Sequence, residues 1–263
     1  IREALRACEE LGDDYSLAQA WNLKGRLDGS VFGRLGAAEG AWHEALRFAE
    51  RGGFGSEKAE SVSWLLISAT FGPLPVERGI ERCKEFAGAA AGEPATQAFC
   101  SCERAVLEAM RGDFDTAREL LAAGRRALDE LGQPVWVAVT GQEAFFVEML
   151  AGDPAAAART LRQSYETLSG MGERSFRSTI AGLLAHALCE LGEDDEADQF
   201  SRACEEAAAE EDVFSQVLWR SARAKVLARR GEADAAEAAA RKAVAIAERT
   251  DLVNTQADAL LDL

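Results

Sequence analysis

Few residues in this chain could do chemistry, and they are scattered. Cys100 and Cys102 are the one close thiol pair among six cysteines, at positions 8, 83, 100, 102, 189 and 204. Two residues apart on a helix, their side chains point ~200° away from one another. One metal ion could not take both without unwinding the helix, so a structural role is expected. His43 and His186 are the two histidines, and with no third ligand in view neither marks a zinc site. His186 is expected to be a satisfied or groove-lining residue. Nucleophilic catalysis needs a serine or cysteine beside a base that an acid orients, and two isolated histidines supply no such constellation. The segment Gly29-Ser30-Val31-Phe32-Gly33-Arg34-Leu35-Gly36 comes nearest to a phosphate-binding loop, yet it lacks the lysine and the hydroxyl that such a loop requires. It reads as a helix-turn segment. No catalytic residue, metal or cofactor is expected, and the chain reads as non-enzymatic.

Carboxylates are far more abundant. Between Gly192 and Asp212 stand Glu193, Asp194, Asp195, Glu196, Asp198, Glu205, Glu206, Glu210, Glu211 and Asp212, with Arg202 as the one basic residue. A solvated helix face is the plain reading of this run, and a basic docking partner is the functional one. Asp194, Asp195 and Glu196 also fall in a helix's first turn, where the macrodipole favours anions. The whole chain carries a formal charge of −16, which argues against nucleic acid as partner because phosphate binding is driven by cationic side chains. No apolar run approaches the ~18 residues that a membrane-crossing helix needs, so no membrane partner is expected. Sparse cysteines fit a reducing, cytoplasmic setting. With 48% apolar residues over 263 positions a sizeable core can be buried. Ile1 to Leu11 reads as an amphipathic helix without the basic-then-apolar layout of a signal peptide, and the chain is expected to be a piece of a longer protein.

The elements that must position these residues announce themselves in the glycines. Gly12, Gly52, Gly92, Gly132 and Gly172 lie 40 residues apart, and Gly72, Gly112, Gly152, Gly192 and Gly231 form a second ladder with steps of 40, 40, 40 and 39. The ladders interleave at about one helix plus its turn, so each glycine is expected to end a helix in the left-handed conformation that glycine adopts cheaply. Five residues after the last four rungs of the second ladder come Ala117, Ala157, Ala197 and Ala236, and twelve after come Gly124, Ser164, Cys204 and Ala243. Two helical turns separate these small positions, which gives each helix a face that a neighbour can approach closely. Ala38, Trp42 and Ala45 follow Gly33 in the same register.

The pattern predicts helices at 2–11, 15–28, 34–51, 56–71, 75–89, 94–111, 114–131, 134–151, 154–171, 174–191, 194–210, 213–230, 233–249 and 252–263. Strand signals are absent. Phe71-Gly72-Pro73-Leu74-Pro75 predicts one irregular turn, since proline biases the residue before it away from helix. Gly-Asp followed by a small residue, as in Arg111-Gly112-Asp113-Phe114-Asp115-Thr116-Ala117 and Ala151-Gly152-Asp153-Pro154, resembles the tetratricopeptide repeat (TPR). The standard repeat is ~34 residues, and longer helices are expected here. The fold is therefore expected to be all-α, a single TPR-like domain over 1–263: a right-handed α-solenoid of about six and a half antiparallel helix pairs with a ~40-residue repeat.

In such a superhelix the first helix of each pair lines the concave side. Positions 13, 10, 6 and 3 before the ladder glycine should then face the groove: Phe99, Cys102, Val106 and Ala109; Val139, Gln142, Phe146 and Met149; Thr179, Gly182, His186 and Cys189; Leu218, Ser221, Lys225 and Ala228. The set is largely apolar, which marks either an interface or a closed interior. Phe99, Val106, Val139, Gln142, Phe146, Met149, His186, Leu218, Ser221 and Lys225 form the candidate ligand or partner groove, with Phe146 at its centre.

Three stretches resemble a more specific family: the segment from Phe71 to Cys83, Glu108-Ala109-Met110-Arg111-Gly112-Asp113-Phe114-Asp115, and Ser215 to Gly231. They are similar to the C-terminal helical-repeat region of bacterial, often actinobacterial, signalling proteins that carry an AAA-type or STAND-type ATPase module, frequently behind a class III adenylate/guanylate cyclase domain. The resemblance implies a protein–protein interaction and sensing module that regulates an attached ATPase or cyclase, with a protein or peptide as partner. The alternative is a metabolite receptor domain of an ATP-dependent transcription regulator, since related repeats serve such regulators. The family's own catalytic parts lie outside these residues.

Overall fold

The computed structural model describes all 263 residues and contains only helices. In chain order they are α1 (Arg2–Leu11), α2 (Asp14–Arg26), α3 (Leu35–Gly52), α4 (Gly55–Phe71), α5 (Val76–Ala89), α6 (Pro94–Met110), α7 (Phe114–Glu130), α8 (Pro134–Val139), α9 (Gly141–Leu150), α10 (Pro154–Gly170), α11 (Ser175–Leu191), α12 (Asp194–Ala207), α13 (Val213–Arg229), α14 (Ala233–Ala247) and α15 (Val253–Leu261). A π-helical turn, Leu27–Val31, prolongs α2. Six antiparallel pairs run from α2/α3 to α13/α14, with α1 before them and α15 after. The chain is an α-solenoid of helix pairs, and no helix is long and apolar enough to cross a membrane.

Local chemistry sets the ends of these helices. Asp13, Asp113, Asp153 and Asp212 accept from the amides of Ser16, Thr116, Ala156 and Ser215, each satisfying an amide that the helix cannot. Proline opens α6, α8 and α10, where its missing N–H costs nothing. Eight of the ten ladder glycines are left-handed, at 12, 92, 112, 132, 152, 172, 192 and 231. At the other two the expectation needs correcting. Gly53 takes the left-handed turn in place of Gly52, and Gly72 is extended, at φ −83° and ψ −168°, because the chain runs into Pro73.

Small residues set the pair packing. Ala117, Ala157, Ala197, Cys204 and Ala243 are fully buried, and Ser164 is 2% exposed. Gly124 shows why size matters there: a Cβ added to it would stand 2.5 Å from Cys102 Sγ and 2.8 Å from the Ala98 carbonyl. The predicted 134–151 helix breaks at Thr140, which closes α8 with its hydroxyl donating to the Val137 carbonyl at 2.8 Å. The first helices of successive pairs pack on one another (α2 on α4, α4 on α6, α6 on α9, α9 on α11, α11 on α13), whereas the second helices splay apart. The first helices therefore form a tightly curved inner layer.

That curvature brings distant parts of the chain together. Asp251 donates its amide to the Gly33 carbonyl at 2.9 Å, and Leu252 is buried with Leu35, Ala38, Trp42 and Leu65. Gly33 and Gly36 allow this approach, since a Cβ on either would stand 2.7 Å from Thr250 or Pro73, respectively. Phe71 of α4 meets Phe146 of α9 across the inner layer, their rings 5.0 Å apart. The glycines of the segment that most resembled a phosphate loop thus close the superhelix.

Candidate functional site

The inner layer is where a partner groove was expected, and much of it is core. Val106 is fully buried with Ala117, Leu121, Ala144 and Val147. Val139 and Leu218 belong to the largest apolar cluster, centred on α11. Cys102 turns toward α7 and Ser221 is 2% exposed. Phe146, expected to face solvent, is half-buried between Phe71 and Phe145, and Met149 packs against the same cluster. The reason is the tight curl: inward side chains of neighbouring and next-neighbouring helices reach one another and exclude water.

Two polar members of the set are held by the protein itself. His186 Nε2 stands 3.0 Å from the Leu218 carbonyl, an acceptor, so the neutral ring carries its proton on Nε2. Burial, with Lys225 nearby, lowers its pKa to about 3. Lys225 pairs with Glu190 at 3.4 Å and with Asp262 at 3.0 Å, linking α13 to the end of α15. Gln142 is half-buried.

Cys100 and Cys102 diverge as helical spacing requires, one packing with Ile80 and Cys83 and the other against α7. Burial pushes the Cys100 thiol up to about 12 and that of Cys102 well above its usual value. Neither is a poised nucleophile, because the thiolate is the reactive form.

The acidic run is largely neutralised within the fold. Arg162 bridges Glu193 at 2.9 Å and Glu196 at 2.7 Å. Arg229 holds Asp194 at 2.6 Å, and Arg230 holds Asp195 at 2.8 Å and Asp198 at 3.1 Å. Glu205 meets Arg223 at 2.6 Å, and Asp212 caps α13. The acids of α12 pair with Arg162 of the preceding repeat and with Arg223, Arg229 and Arg230 of the next, so most of this face is a seam between repeats.

What stays accessible is an aromatic row at the leading end of three first helices. Trp136 of α8 is 38% exposed and lies edge-on between Phe99 of α6, at 5.1 Å, and Phe176 of α11, at 5.8 Å. Phe99 and Phe176 are half-buried, and Leu131, in the turn before α8, is 40% exposed. Where α4 and α6 begin, Gly55, Ala59, Glu93, Pro94, Thr96, Leu131 and Gln133 line an open recess of about 410 Å³. Of this surface the sequence reading named Phe99 alone. A signal for the rest was present: Trp136 and Phe176 both stand 16 residues before a ladder glycine, Gly152 and Gly192.

No family model matches the sequence, and no curated protein does. Among solved structures, the chain is similar to a Rap protein complexed with Competence and Sporulation Factor. The TM-score is 0.64 at 13% sequence identity, over 94% of this chain and 73% of that one. The likeness shows the fold, a TPR-like helical repeat.

Proposed function

We propose that this chain is a non-enzymatic interaction and sensing module that holds a protein or peptide partner and regulates a signalling ATPase or nucleotide cyclase to which it is attached, the 263 residues acting as one domain. The observation that carries the reading is the Phe99–Trp136–Phe176 row. Three aromatic rings from three successive repeats share one edge of the solenoid beside an open recess. Aromatic residues that keep part of their surface in water while resting on rigid helices are the usual energetic centre of an interface. The similar Rap protein is complexed with a factor, and the three stretches that resemble repeat regions of ATPase- and cyclase-linked proteins favour the same class.

Partner binding should therefore depend on Trp136. Co-expression of this chain with the ATPase or cyclase segment of the same protein, followed by nucleotide turnover measurements, tests it. Trp136→Ala is expected to remove the regulation while shifting the unfolding midpoint little. Regulation that survives Trp136→Ala, Phe99→Ala and Phe176→Ala together would overturn the assignment.

A further inference from the structure

Two carboxyls in the inner layer take no part in the site described above. Glu103 of α6 is 2% exposed and Glu143 of α9 is 7% exposed. Each stands nine residues before a ladder glycine, Gly112 or Gly152, and they meet where α6 packs on α9. The two carboxyls lie close enough to influence one another, and each leaves its Oε2 without a hydrogen-bond partner. Two ionised carboxylates in contact repel strongly where water is excluded. The pair therefore keeps a proton, and burial pushes both carboxyls upward.

The surroundings do not supply two counter-charges. Thr70 of α4 lies beside Glu103, its hydroxyl donating to the Leu66 carbonyl at 3.1 Å. Cys83 of α5 and Cys100 and Cys102 of α6 face the pair as neutral thiols, with Arg82 and Arg104 near Cys83. Arg125 of α7 is the one cation beside Glu143; it also donates to Thr140 Oγ1 at 3.1 Å, and its single charge can offset one carboxylate but not two.

We propose that Glu103 and Glu143 form a proton-operated joint between successive repeats: sharing a proton they fasten α6 to α9, and once that proton has left to solvent the two negative charges force the helices apart. Phe146 lies one turn beyond Glu143, and Phe71 follows Thr70. Opening the joint thus separates the Phe71–Phe146 contact and uncovers apolar surface in the middle of the inner layer. The signal is a rise in pH, and the device works without any partner.

Urea unfolding of the whole chain and of Glu103→Gln, from about pH 6 to pH 9, tests it. His186 and the buried thiols also change their contribution to stability with pH, so the quantity read is the difference between the two proteins. The unfolding constant of the wild type should rise relative to that of Glu103→Gln, by up to roughly tenfold per pH unit. Amide exchange in α6 and α9 should speed up with pH more in the wild type than in the variant. Parallel pH profiles would overturn the joint. Should Glu103→Gln fail to fold, infrared spectroscopy of the wild type decides: a protonated-carboxyl band near neutral pH that disappears in alkali supports the proposal, and its absence overturns it.

Discussion

Asp251 caps a helix that begins far earlier in the chain: its Oδ2 accepts from the Gly36 amide at 3.0 Å across 215 residues, and from the Ala37 amide at 3.3 Å. An N-cap is ordinarily supplied by the residue just before the helix. Here Arg34 holds that place and offers no side-chain cap, so the first turn of α3 is satisfied only when the superhelix closes.

Asp251→Ala should then do two things at once. Losing the cap is expected to cost ~1 kcal/mol, read as a lower urea midpoint. Without the closing contact the particle should also expand beyond the roughly 18 Å radius of gyration of a compact chain this long. Asp251→Asn keeps an acceptor oxygen and should stay close to wild type in both. A small-angle scattering radius unchanged in Asp251→Ala would mean that Leu252 and the glycine contacts close the ring alone.

Ala197 and Gln199 provide a test of the repeat register within one helix. Ala197 is fully buried, whereas Gln199, two residues on, is exposed. Ala197→Leu should overpack the α11/α12 contact and destabilise by roughly 1–3 kcal/mol. Gln199→Leu should leave the melting temperature nearly unchanged. Equal shifts would show that the small-residue face is not where the helices meet.

Such contacts were legible in advance because they recur. A left-handed glycine and a small residue five positions later follow from local geometry repeated every 40 residues, and a period survives any ignorance of tertiary detail. Asp251 on Gly36, by contrast, happens once, and nothing in the composition around residue 251 distinguishes a cap in trans from a loop aspartate. Whether the groove positions are open or buried was illegible for a related reason. Spacing fixes which residues share a helix face, but the curvature of the stack decides whether that face sees water, and that depends on Phe71 meeting Phe146 two repeats away. Glu103 and Glu143 did carry a periodic signal, at the same place in adjacent repeats. It went unread because charged residues are so rarely buried.

His186 gives the fold an acid-sensitive contact. Its folded-state pKa lies near 3, below the ordinary 6.5, so the unfolded chain binds the proton more readily. Its contribution is complete above about pH 6.5 and is lost as the pH falls, by as much as roughly tenfold in the unfolding constant per pH unit. His186→Gln retains a donor for the Leu218 carbonyl and cannot titrate. Urea midpoints measured from about pH 7 to pH 5 should fall more steeply for the wild type than for this variant. Identical slopes would place the ring in contact with solvent.

Phe146 separates an interior residue from a docking residue most sharply. Its ring lies 5.0 Å from Phe71 and 5.2 Å from Phe145, and it packs against both of the largest apolar clusters. An arginine there would forfeit that packing and place an unpaired cation among apolar side chains. Truncating a fully buried aromatic costs about 3–5 kcal/mol; half-buried Phe146 forfeits part of that, and the stranded charge adds to the loss. Phe146→Arg should therefore unfold at markedly lower urea. Trp136→Arg, at an edge already 38% exposed, should fold nearly as well as wild type, because a guanidinium there stays hydrated. The pair of variants also divides the functional readings. If Phe146→Arg proves as stable as Trp136→Arg, the inner layer opens readily in solution and the partner surface extends from the aromatic row into the middle of the solenoid.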